Sequence, residues 1–132
     1  MTKDYEELKR ITKETAAMLF GEPKAGSEDV AQGAFALWKE FDPELAKHIS
    51  MFYTGRLYAR EVISQKQREL CAVASLTTLA RHDELRAHVK AAMKVGATRE
   101  EVAEVIFQMA TYAGVPVVVE GLRVLKDVLD GS

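Results

Sequence analysis

The sequence predicts an all-α protein of six to seven helices. Three observations carry this reading. Apolar residues recur every three to four positions, capping residues precede most of those runs, and glycine or proline closes them. The chain has 132 residues, 48% of them hydrophobic and 29% charged, so one domain spanning 1–132 with its own core is expected.

Taken in order, Leu8, Ile11, Thr15 and Leu19 predict a first helix that Gly21 and Pro23 end. GEPKAG reads as a loop. Ser27 is then expected to cap a second helix, with Val30, Ala34, Leu37, Trp38 and Phe41 inward. Asp42-Pro43 supplies an N-cap followed by proline at the first helical position, opening a third helix with Leu45, Ile49, Phe52 and Tyr53 inward. The pattern leaves that helix's end open between Gly55 and Ala59.

Ser64-Gln65-Lys66-Gln67 is a capping box, opening a helix that runs to about Ala80. Leu70, Val73, Leu76 and Leu79 make it apolar nearly all round, hence central and buried. A fifth helix is expected between a cap at Asp83 and a close at Gly96, with Leu85, Val89 and Ala92 inward. Thr98 and Glu101 form a second capping box before Val102, Val105, Ile106 and Met109. Gly114 ends that helix and Pro116 starts the last one. VPVVV at 115–119 has β propensity, yet Val118, Leu122, Leu125 and Leu129 continue at helical spacing, so it is read as helix.

Composition excludes several function classes. The net charge is −2 with both signs interspersed, and no basic patch points to nucleic acid. No apolar run reaches the length of a membrane span, and MTKDYEELKR lacks the apolar centre of a signal peptide. The single cysteine, Cys71, cannot form an internal disulfide, which makes a cytoplasmic setting the expectation. No glycine motif for cradling phosphate occurs. Glu84 and His88 lie one turn apart without any H-E-x-x-H pattern, so neither metal nor cofactor is expected.

Two residues stand out. His88 falls inside the inward stripe of Leu85, Val89 and Ala92, while Arg86 and Lys90 face water. Glu69 lies on the apolar helix before it, where a carboxylate is costly unless paired. Together they would form an acid–base device; satisfied core residues are the alternative. Rise per residue puts Glu69 and His88 roughly 10 Å out of level in a plain antiparallel hairpin. They meet only if the first helix breaks early or crosses steeply, or if they come from different subunits. Cys71 is read as a buried small hydrophobe, and His48 and His82 as surface residues.

The segment from Arg68 to Pro116 resembles the carboxymuconolactone decarboxylase family. The likeness rests on Arg68-Glu69-Leu70, Leu85-Arg86-Ala87-His88, Gly96-Ala97-Thr98-Arg99-Glu100-Glu101 and Tyr112-Ala113-Gly114-Val115-Pro116, in that order and spacing. It implies an AhpD-like all-helical subunit that assembles as a homotrimer or homohexamer. The family's alkylhydroperoxidase branch uses a glutamate, a C-x-x-C pair beginning twelve residues on, and a histidine four residues after the second cysteine. Counting from Glu69 reaches Arg81, Glu84 and His88, so the acid and the imidazole match and both thiols are missing.

The decarboxylase branch keeps the histidine without the thiols. Its reaction takes 4-carboxymuconolactone to the 3-oxoadipate enol-lactone in aromatic-acid breakdown, and it needs no cofactor. The resemblance therefore implies His88 as general acid and Glu69 as the group that orients it. Arg81, from its position at the helix entry, is a candidate to grip a substrate carboxylate. Val117-Val118-Val119-Glu120 departs from the small residues usual after Y-A-G-x-P, which bears on which small-molecule lactone would fit. Two other readings stand beside this one: a thiol-dependent peroxidase acting through Cys71, and a non-catalytic helical oligomer or binding module.

Overall fold

The structure, a computed structural model, describes residues 4–21 and 30–131. Every regular element among them is helical, and no strand occurs among the described residues. The expected cap at Ser27 and the loop proline Pro23 lie outside the described residues. The chain divides into two units, Met1–Ile63 and Ser64–Ser132.

In the N-terminal unit, Asp4 accepts a hydrogen bond from the Glu7 N–H at 2.8 Å and so caps α1, Tyr5–Phe20. Leu8, Thr12, Thr15 and Leu19 are buried along it, and Gly21 ends it at φ 81°. α2 spans Val30–Phe41. Asp42 then caps α3, Pro43–Ser50, by accepting from the Leu45 N–H at 2.9 Å, with proline in the first turn as the sequence predicts.

The open end of α3 has an unusual solution. It runs directly into a π-helical segment, Met51–Leu57, closed by the Tyr58 N–H donating to the Tyr53 carbonyl five residues back. Gly55 lets this segment approach α1, because a Cβ there would collide with Thr12 Oγ1 and lie 3.0 Å from Leu8 Cδ1.

The inner faces expected for the second and third helices are corrected here. Leu37, Phe41, Leu45 and Phe52 are all more than half exposed, while Ala46, Met51, Thr54 and Gly55 are buried. The π segment adds a residue to each turn, which accounts for Phe52; Leu37, Phe41 and Leu45 precede it in regular helix, and nothing in the structure explains their exposure.

The C-terminal unit packs α4 (Gln65–Thr78), α5 (His82–Lys94), α6 (Arg99–Gln108), a single turn α7 (Ala110–Ala113) and α8 (Val115–Leu129). Both capping boxes form. Ser64 and Gln67 exchange bonds at 2.9 and 3.0 Å, and Thr98 and Glu101 do so at 3.1 and 3.0 Å. VPVVV is helical, with Pro116 in the first turn of α8. Val73, Leu85, Val89, Val102, Ile106, Val118 and Leu125 meet in the core of this unit.

Two expectations about this unit fail. α4 is not buried all round: it hides the stripe Glu69, Val73 and Thr77, while Cys71, Ser75 and Leu79 are exposed. α5 is not capped by Asp83. Arg81 occupies the N-cap position and its side chain caps no backbone N–H, and Asp83 sits with Glu84 in the first turn, where acids suit the helix dipole.

Gly121 explains how closely α8 approaches its neighbours. A Cβ on it would lie 2.9 Å from Ile106 Cγ2 and 3.1 Å from Thr77 Cγ2. Only a missing side chain fits there.

Candidate active site

The site begins with how α4 ends. Its last residue is Thr78, earlier than expected. The chain turns through Ala80, which is left-handed at φ 55°, with Ala80 N–H donating to the Thr77 carbonyl and Arg81 N–H to that of Leu76. α5 starts at once with His82.

This early break removes the mismatch. Glu69 now stands nine residues before the end of α4, and His88 six after the start of α5. At about 1.5 Å per residue they differ in level by only about 5 Å, a gap that a glutamate side chain spans. Within this one chain, His88 Nδ1 and Glu69 Oε2 lie 2.7 Å apart. No second subunit is needed to bring them together.

The environment is dry on one side only. The Glu69 side chain is fully enclosed, and that of His88 is 12% exposed. An ionised carboxylate can only accept, so Nδ1 must carry the proton in this contact. With the carboxylate ionised, Glu69 thus accepts Nδ1–H and orients the ring. Glu69 Oε1 and Thr77 Oγ1 are also buried and have no hydrogen-bond partner among the described residues. Thr77 lies on the same buried stripe of α4 as Glu69 and Val73, two turns further on and beside Gly121 of α8.

Arg81 and Glu84 occupy the places where redox relatives would carry thiols. They form an ion pair with each other at 3.2 Å, with side chains 63% and 39% exposed. The Glu84 carboxyl is held below the usual carboxylate range, first by the backbone N–H at the start of α5, then by Arg81 and by the charge of His88. Cys71, expected to be buried, is exposed, because only every fourth residue of α4 faces inward. His48 is exposed as expected, and His82 is half-buried at the first position of α5. No cluster of three or more metal-ligating side chains occurs among the described residues.

The chain is thus all-helical among its described residues, with an enclosed carboxylate bonded to an imidazole and a single cysteine in its sequence. Comparison with known proteins makes this specific. Residues 43–127 match the carboxymuconolactone decarboxylase family, and the chain belongs to it. It is 35% identical over 77 residues to the 4-carboxymuconolactone decarboxylase of Acinetobacter baylyi, an overlap covering 58% of each protein. It is 30% identical over 88 residues to an uncharacterized 15.0 kDa protein of Paracoccus denitrificans, covering 65% of this chain and 66% of that one. The chain therefore spans less than two thirds of the length of each of these relatives.

Proposed function

We propose that this protein is a cofactor-free carboxy-lyase acting on a carboxymuconolactone-like lactone, with His88 as general acid. The observation that carries the reading is the 2.7 Å contact between the enclosed Glu69 carboxylate and a slightly exposed His88. Decarboxylation breaks the bond between the ring carbon and the carboxylate and releases carbon dioxide. The electron pair passes through the adjacent double bond to the lactone carbonyl, giving a dienolate. One proton, added next to the carbonyl, completes the enol-lactone. In the imidazolium–carboxylate form both ring nitrogens carry protons. Nδ1–H is committed to Glu69, so the Nε2 proton is the one delivered.

Arg81 is the proposed anchor for the substrate carboxylate. Its present partner is Glu84, in an exposed ion pair of the kind that contributes little stability, so exchanging it for a substrate anion costs little. The relative in Acinetobacter baylyi supports the substrate class by its name alone. A setting in the cytoplasm and assembly as a homotrimer or homohexamer belong to the same proposal. No helix among the described residues is long and apolar enough to cross a membrane.

The test is carbon dioxide release from 4-carboxymuconolactone by the parent chain, His88→Ala and Cys71→Ser. His88→Ala is expected to lose at least about 100-fold in rate. Cys71→Ser should match the parent. Undiminished turnover in His88→Ala would remove the histidine from the mechanism. Peroxide consumption that disappears in Cys71→Ser would favour the thiol peroxidase instead.

A further inference from the structure

A cavity lies in the N-terminal unit. It has a volume of about 440 Å³ and is lined by Tyr5, Leu8, His48, Met51, Phe52 and Arg56. That is within the range of small-ligand pockets, roughly 300–1,000 Å³. Its floor is apolar: Leu8 is 5% and Met51 8% exposed, while the Phe52 ring stands at the rim.

The π-helical segment builds this pocket. In an α-helix, residues five apart point about 140° away from each other. In Met51–Leu57 the backbone closes every five residues, so Met51 and Arg56 stack on one side. An apolar floor and a cationic rim are thereby placed one above the other. π-helical turns are costly irregularities that concentrate at functional sites.

The rim is electrostatically uneven. Lys47 sits over the Tyr5 ring at 4.9 Å, and the Tyr5 phenol holds its pKa above the ordinary lysine range, with smaller effects from Glu44 and Glu6. Lys47 is thus occupied. Arg56 makes no hydrogen bond or ion pair among the described residues, and His48 stands exposed on the same cavity.

We infer that this cavity binds a small carboxylic acid with an apolar body, its carboxylate on Arg56 and His48 and its body on Leu8, Met51 and Phe52. A guanidinium fork matches a carboxylate in two parallel hydrogen bonds. One guanidinium suits a monoanion, and the apolar floor requires an organic one. The inference stands apart from the proposed decarboxylation and does not depend on turnover.

Amide and histidine NMR titrations of the full chain test it, with benzoate, benzyl alcohol and inorganic phosphate as probes. Benzoate is expected to saturate with a dissociation constant on the order of 1 mM, moving the signals of His48, Phe52 and Arg56. Benzyl alcohol, which lacks the charge, and phosphate, which lacks the body, should each bind at least tenfold more weakly. Arg56→Gln should weaken benzoate at least tenfold while leaving the rest of the spectrum unchanged, and Phe52→Ala should weaken it by a smaller factor. The inference is overturned if benzoate gives no saturable shifts, if Arg56→Gln binds as the parent does, or if phosphate binds as well as benzoate.

Discussion

Glu69 has no access to solvent, and among the described residues only one of its two oxygens is bonded, to His88. A core of equal volume built from apolar side chains would avoid that desolvation cost. This allows the structural and functional roles of the pair to be separated. His88→Leu alone strands a buried carboxylate and is expected to cost about 3 kcal/mol, read from the urea midpoint. The double variant Glu69→Met/His88→Leu removes both polar partners and should return to within about 1 kcal/mol of the parent while losing turnover. A double variant as unstable as the single would mean that the pair holds the fold together. Glu69 and His88 were both legible as anomalies, a carboxylate and an imidazole on inward faces. Their contact was not, because it depends on where α4 stops.

At the scale of elements, local chemistry was readable and irregular backbone was not. Asp42, Ser64, Gln67, Thr98 and Glu101 cap helices where the sequence placed them, since a cap needs only residues three positions apart. The π turn after Ser50 and the left-handed Ala80 carry no comparable sequence signal; the first shifts the inward face from Met51 on, and the second sets the level of His88 against Glu69. Ala80 is the informative one. The turn joining α4 to α5 needs a left-handed residue, a place glycine normally takes and where a Cβ is unfavourable. Ala80→Gly should therefore stabilise the chain by about 1 kcal/mol, raising the thermal midpoint by about 3 °C. Because the turn sets the level of His88 against Glu69, turnover should be retained. A lower midpoint would mean that the greater unfolded-state freedom of glycine outweighs the relieved strain.

For the whole molecule, the helical spacing of apolar residues predicted more buried surface than one chain provides. Leu37, Phe41, Leu45 and Phe52 in the N-terminal unit and Leu79 in the C-terminal unit, all expected inward, are more than half exposed, as are Phe107, Tyr112 and Val115, for which no inward face was expected. Periodicity reads that a face is to be covered and says nothing of whether the cover comes from the same chain. Scattered exposed apolar residues are ordinary, but Phe107, Tyr112 and Val115 follow one another through the end of α6, α7 and the start of α8. Self-association is the reading that covers them and agrees with the expected homotrimer or homohexamer. Light scattering on a sizing column should then give three or six times the chain mass of 14.7 kDa. Tyr112→Glu with Val115→Lys, both at exposed positions, should shift that mass toward the monomer while keeping the helical circular dichroism. A parent chain that elutes at 14.7 kDa at micromolar concentration would end the proposal of assembly. The Glu69–His88 contact would be untouched by that outcome, because one chain supplies both partners.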